Sequence, residues 1–158
     1  MLLMSVSIVA GCQCKDHAWV HLHDPTREFK TRIKIDAAVG RAIVSELSGS
    51  PSPHAEAVDL LRAGLTAVGA HAERVELRCS DGMLSGVLCL RGLNGPTTTT
   101  VDPCHALLAA CRMKLPILMS EADLASVAET PVPSVYRPFL DTLDLSGLDG
   151  PSHGRASA

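Results

Sequence analysis

Apolar and polar positions alternate from the start of the chain. Ser5 and Ser7 stand between Met4, Val6 and Ile8, the period of a strand with one apolar face, and this predicts a strand over 4–10. Ala18-Trp19-Val20-His21-Leu22-His23 repeats the pattern, with Ala18, Val20 and Leu22 on one side. "DPTRE" (24–28) supplies a turn. Residues 29–35 then return with Phe29, Thr31, Ile33 and Ile35 facing inward and Lys30, Arg32 and Lys34 facing out, a hairpin with one buried face. The period changes after Asp36, which is expected to cap a helix with Val39, Ile43 and Leu47 along one stripe and Gly49 as its stop. Ser52 and Pro53 are expected to cap and begin a second helix. Its buried stripe is read as Val58, Leu61, Leu65 and Val68, ending near Gly69.

Alternation returns in Val75-Glu76-Leu77-Arg78-Cys79, and Asp81-Gly82 turns the chain into a strand over 83–90. A short strand, Thr97 to Val101, leads to "VDPCHALLAACR", where Asp102 caps and Pro103 starts a helix. Leu115 to Met119 reads as a short strand, and Ser120 with Asp123 begins a helix to about Ala128. The order βββ-αα-βββ-α-β-α is an α+β arrangement, antiparallel or mixed hairpins packed with helices. Residues 1–130 are expected to form the domain, 131–149 a C-terminal docking segment, and 150–158 a disordered tail.

Composition narrows this picture. With one Trp, one Tyr and two Phe among 158 residues, the core must be aliphatic, and extended stacking platforms for single strands are disfavoured. A net charge of −3 makes no global case for nucleic acid, so any such binding requires a local basic patch. Six cysteines suggest disulfides only until their spacing is considered. Cys104 and Cys111 lie on one predicted helix, about 10 Å apart along its axis, beyond disulfide reach. Cys79 and Cys89 could face each other across a hairpin. The remaining expectation is buried thiols in a reducing cytoplasm. "VAGC" (9–12) fits the pattern before a lipid-modified cysteine, but the run before it is short and lacks Lys or Arg. No stretch is long enough to span a membrane as a helix.

Three groups of residues could carry chemistry. Cys104 would occupy the first turn of its helix, where the helix dipole favours a thiolate, or be a partly buried thiol near the cap, which is the default expectation. His105 cannot easily be its base, because adjacent helical residues point about 100° apart. Cys12, Cys14, His17, His21 and His23 could form a zinc site if their segments pair, or be solvated side chains on an outer face. Lys30, Arg32 and Lys34 could track a phosphate backbone, or simply protect a strand edge. There is no P-loop, GxSxG, HExxH or Cys-x-x-Cys motif.

The layout as a whole resembles the bifunctional nuclease domain family over residues 17 to about 130. "HAWVHLHDPTREFKTRIKI" stands for that family's first hairpin, "AAVGRAI" for its first helix, and "HAEAVDLL" for its "RP.THDLL" segment. "VELRCSDGMLSGVLCL" is similar to its strand–DG–strand hairpin, and "DPCHALLAACRMKLPILMSEADL" to its "RPSDAIALA…PI" segment. "VYRPFLDTL" resembles its trailing segment. The resemblance implies an α+β homo-oligomer that cleaves DNA and RNA. Cofactors are unknown, and a divalent cation is compatible.

Residue by residue the transfer is uneven. Of "RP.THD" only Asp59 remains. Asp102, Cys104 and His105 replace Arg, Ser and Asp of "RPSDA", while Pro103 and Ala106 match. The catalytic candidates are therefore Asp59, His105 and Asp102, expected to converge in a concavity around a water or metal. The nucleic-acid-binding candidates are Lys30, Arg32 and Lys34. The alternative is a catalytically degenerate relative serving as a nucleic-acid- or protein-binding regulatory module.

Overall fold

Two antiparallel meanders, joined by a three-residue strand, make up the single sheet. The structure, a computed structural model, describes residues 1–12, 16–26, 29–50 and 52–128. The first meander contains β1 (Leu2–Gly11), β2 (His17–His23) and β3 (Lys30–Asp36), and is followed by α1 (Ala37–Ser48) and α2 (Pro53–Ala67). The second contains β4 (His71–Ser80), β5 (Met83–Gly92) and β6 (Gly95–Val101), followed by α3 (Pro103–Met113), β7 (Ile117–Met119) and α4 (Glu121–Ala128). The spatial order is β3-β2-β1-β7-β4-β5-β6. Strand β7 is antiparallel to β1 and parallel to β4, the one parallel pair among the described strands. The α+β class and the element order expected from the pattern are those of the structure.

Strand alternation places the core. Ala18, Val20 and Leu22 of β2 and Ile33 and Ile35 of β3 are buried on one side, as are Val75 and Leu77 of β4. They form one cluster with Val39, Ala42 and Ile43 of α1 and the run Ala106–Ala110 of α3. Leu107 is completely buried; covering a leucine is worth about 1.5–3 kcal/mol. Both core helices lie close to the sheet where small residues meet. A Cβ added at Gly40 would lie 2.7 Å from that of Ala18, and one added at Gly86 would lie 2.4 Å from that of Ala106. The first approach fixes the depth of α1 and the second that of α3, and hence the position of the first turn of α3.

The caps explain most boundaries. Asp36 Oδ1 accepts from Ala38 N at 2.7 Å, and Asp102 Oδ1 accepts from Cys104 N at 2.8 Å. Gly49 takes the left-handed conformation (φ 73°) that ends α1. Ser52 departs from expectation: its side chain makes no cap bond, and its backbone carbonyl accepts from Ala55 N at 3.0 Å. Strand β7 is shorter than 115–119, because Leu115 N donates back to Ala110 O and closes the end of α3.

Two apolar stripes differ from the pattern. In α2 only Ala55 and Val58 are buried, while Val68 is 68% exposed and Leu61 is also exposed. In α1, Leu47 is 57% exposed. Periodicity identifies an apolar face but not what covers it, and α2 is buried only along its first turns. Cys79 and Cys89 also do not face each other: Cys79 pairs with Leu84, and Cys89 with Arg74. The expected docking segment (131–149) and tail (150–158) lie outside the described residues.

Candidate functional site

Helix α3 carries charge at both ends. At its start, Asp102 serves as N-cap, and His105 Nδ1 lies 4.0 Å from Asp102 Oδ1, one helical turn away. The side chain of His105 is 70% exposed, and that of Asp102 is exposed as well. Partial desolvation opposes ionisation of Asp102, but the hydrogen bonds from Cys104 and the nearby His105 outweigh it, so its carboxyl titrates below the usual value. Cys104 is a partly buried thiol beside the cap. Burial pushes its thiol up to about 11, and the Asp102 and Asp36 carboxylates add to that effect. Burial outweighs the helix dipole, so Cys104 is held as a thiol. Cys111 is likewise pushed up to about 11 by burial, then by Glu46.

At the other end, Arg112 gathers two carboxylates. Its Nε donates to Asp59 Oδ1 at 3.1 Å and its Nη2 to Asp59 Oδ2, while Nη1 lies 3.1 Å from Glu46 Oε2. Asp59 also pairs with Arg62 at 3.2 Å. The Arg112 hydrogen bonds hold the Asp59 carboxyl below its usual range, and Arg112 in turn is more strongly held as a cation. This network ties α1, α2 and α3 together. Arg112 follows His105 by seven residues, about 10 Å along the axis. The structure therefore brings Asp102 and His105 together, and seats Asp59 two turns away on Arg112. Sequence reasoning singled out neither Arg112 nor Glu46. The available signal was that Arg112 is the only Asp, Glu, Lys or Arg within α3.

The third group lies on the side of the β2–β3 hairpin that faces away from the core. In register, Trp19 opposes Lys34, His21 opposes Arg32, and His23 opposes Lys30. The Arg32 guanidinium sits 4.9 Å from the centre of the Trp19 ring, and the His17 ring meets Trp19 edge-on at 5.9 Å. Lys30 and Lys34 are exposed, and Arg32 is half-buried. Burial, then the charge of Arg32, lowers the His21 pKa. Among the described residues, neither lysine nor Arg32 has a carboxylate partner. No three or more His, Cys, Asp or Glu residues among those described gather into a metal site. Of the residues considered for zinc, Cys14 lies outside the described set.

No helix of the described residues is long and apolar enough to cross a membrane. No curated protein matches the chain. The family model of the bifunctional nuclease domain matches residues 20–131, from within β2 to just past α4, and the chain belongs to the bifunctional nuclease domain family.

Proposed function

We propose that the protein binds DNA and RNA and hydrolyses their phosphodiester bonds, with His105 and Asp102 as its proton-transfer pair. The observation that carries this reading is the exposed His105 beside Asp102 at the first turn of α3, in a chain of this family. The positive end of the helix dipole suits a bound phosphate beside His105. In the reaction, the imidazole removes a proton from water as the water oxygen bonds to phosphorus. Asp102 stabilises the resulting imidazolium. The bond from phosphorus to the leaving oxygen breaks, and that oxygen receives the proton.

Asp59 acts in this reading as a positioning residue, because its oxygens are engaged by Arg112 and Arg62. At the start of α3 a divalent cation would find Asp102 and His105, with no third His, Cys, Asp or Glu among the described residues close enough to complete a site. The exposed Leu60, Leu61 and Val68 on α2, with Val44 and Leu47 on α1, support assembly as a homo-oligomer, which light scattering tests. The thiols of Cys79, Cys89, Cys104 and Cys111 support a reducing, cytoplasmic location.

The test is cleavage of labelled single-stranded DNA and RNA at low salt, with and without EDTA. His105→Ala is expected to lower the rate about 10²- to 10⁴-fold, and Asp59→Asn much less. Equal rates for His105→Ala and the parent would remove this assignment. Retained binding with no cleavage under any divalent cation would favour the degenerate regulatory relative.

A further inference from the structure

Trp19 is the only tryptophan in the chain, and it stands on a sheet face among three cations that have no carboxylate partner among the described residues. We infer that the outward face of β2 and β3 binds single-stranded nucleic acid, one unpaired base stacking on the Trp19–Arg32 pair while Lys30 and Lys34 hold the flanking phosphates. This rests on the reading of the protein as one that acts on nucleic acid.

Charge supplies the first argument. Arg62, Arg74, Arg78, Arg91 and Arg112 each meet a carboxylate. Among the described residues Lys30, Arg32 and Lys34 do not, although they fill three successive outward positions of one strand, whose last outward residue, Asp36, turns its carboxylate to the first turn of α1. Such a row keeps a net positive field for an anion from outside. Alternate residues on a strand lie about 6.8 Å apart, so the two lysines flank Arg32 along a line that an extended sugar–phosphate backbone can follow.

The planar groups supply the second. Indole and guanidinium planes are the surfaces on which splayed bases stack, and here they lie 4.9 Å apart on neighbouring strands. A single ring offers room for one base rather than a run of them. Most of the affinity then comes from phosphates, and the aromatic scarcity of the chain is no obstacle.

Sheet geometry supplies the third. A two-stranded ribbon fits the major groove, but β2 is paired on its other side by β1, so this face is broader than a ribbon. Duplex bases also hide their faces within the stack. The face therefore selects unpaired strands.

The test uses the full chain carrying His105→Ala, in EDTA so that turnover does not interfere. It is titrated with a labelled thymidine oligomer of about 12 nucleotides, within the usual site size, and with a duplex of equal length. Stacking is expected to quench the fluorescence of the sole tryptophan, and the duplex to bind at least tenfold more weakly. Trp19→Ala should weaken oligomer binding about 5- to 150-fold, whereas Trp19→Phe, which keeps a ring and guards against misfolding, should retain most of it. Lys30→Ala and Lys34→Ala should each reduce the salt slope by about 0.7. Arg32→Lys should keep that slope but lose the preference for single strands.

Equal affinity for both forms with no quenching would overturn the inference. So would equal binding by Trp19→Ala and the parent, or equal affinity and quenching with phosphatidylserine vesicles, which would assign the face to a lipid surface. Cleavage by the parent without binding here would sink this inference and leave the hydrolytic reading standing. Binding without cleavage would do the reverse.

Discussion

The two meanders each display a row of basic side chains away from the core, and the rows differ in what surrounds them. On β4 and β5, Arg74 and Arg78 close on Glu76, and Arg91 closes on Glu73. Glu76 is only 7% exposed, and its carboxyl is held below the usual range chiefly by the Arg78 hydrogen bond, against its own desolvation. On β2 and β3, Lys30, Arg32 and Lys34 have an indole and imidazoles beside them and, among the described residues, no carboxylate within ion-pair distance. Counting cations would treat these rows as equal. Their neighbours make one a structural network whose field is cancelled, and leave the other with a net field toward solvent.

Breaking the β4 network should have the largest effect. Glu76→Ala strands two arginines and removes charge-assisted hydrogen bonds, with an expected loss of about 1.5–3 kcal/mol in urea unfolding. The paired change Glu73→Gln with Glu76→Gln should make the two rows alike, and nucleic-acid affinity at low salt should rise. Unchanged affinity would show that exposed charge alone does not define a binding face.

Next in size is Lys34→Glu on the open row. Stability should stay within about 0.5 kcal/mol of the parent, while affinity for the oligomer drops about tenfold or more. A large fall in unfolding free energy with unchanged affinity would place the open row among the structural ones.

Acidification sharpens the contrast further, with a smaller effect. The folded-state pKa of His21 is depressed below 6.5, so the unfolded chain takes up that proton first as pH falls. The stability associated with neutral His21 is therefore present above pH 6.5 and lost as pH falls through the folded pKa. Glu76 is depressed below 4.5, so its contribution is present above that value and lost only in stronger acid. His21→Gln should flatten the melting temperature between pH 7.5 and 5 and leave the loss below pH 4.5 intact. A parental slope in the variant would assign the mild-acid loss to another group.

The candidate site was legible where chemistry is local. Asp102 as N-cap and His105 one turn later follow from residue type and spacing, and the outward row Lys30-Arg32-Lys34 follows from period two. The environments were not legible. Cys104 sits where a helix dipole favours ionisation, yet burial, with the Asp102 and Asp36 carboxylates adding to it, holds it as a thiol. Asp59 survived as the acid of a motif, but its pairing with Arg112 depends on how α2 crosses α3. Residues 53 positions apart give no local signal of that contact.

The sequence by itself determined the element order, the two hairpin-rich halves, most of the caps and the inward faces, because periodicity, turn residues and N-caps act within a few residues of one another. Only the tertiary structure decided that β7 joins the halves, that α2 leaves much of its apolar stripe uncovered, and which cations find carboxylates. Those outcomes depend on which surfaces meet, and the meeting is set by close packing of distant segments, as where Ala106 fits against Gly86.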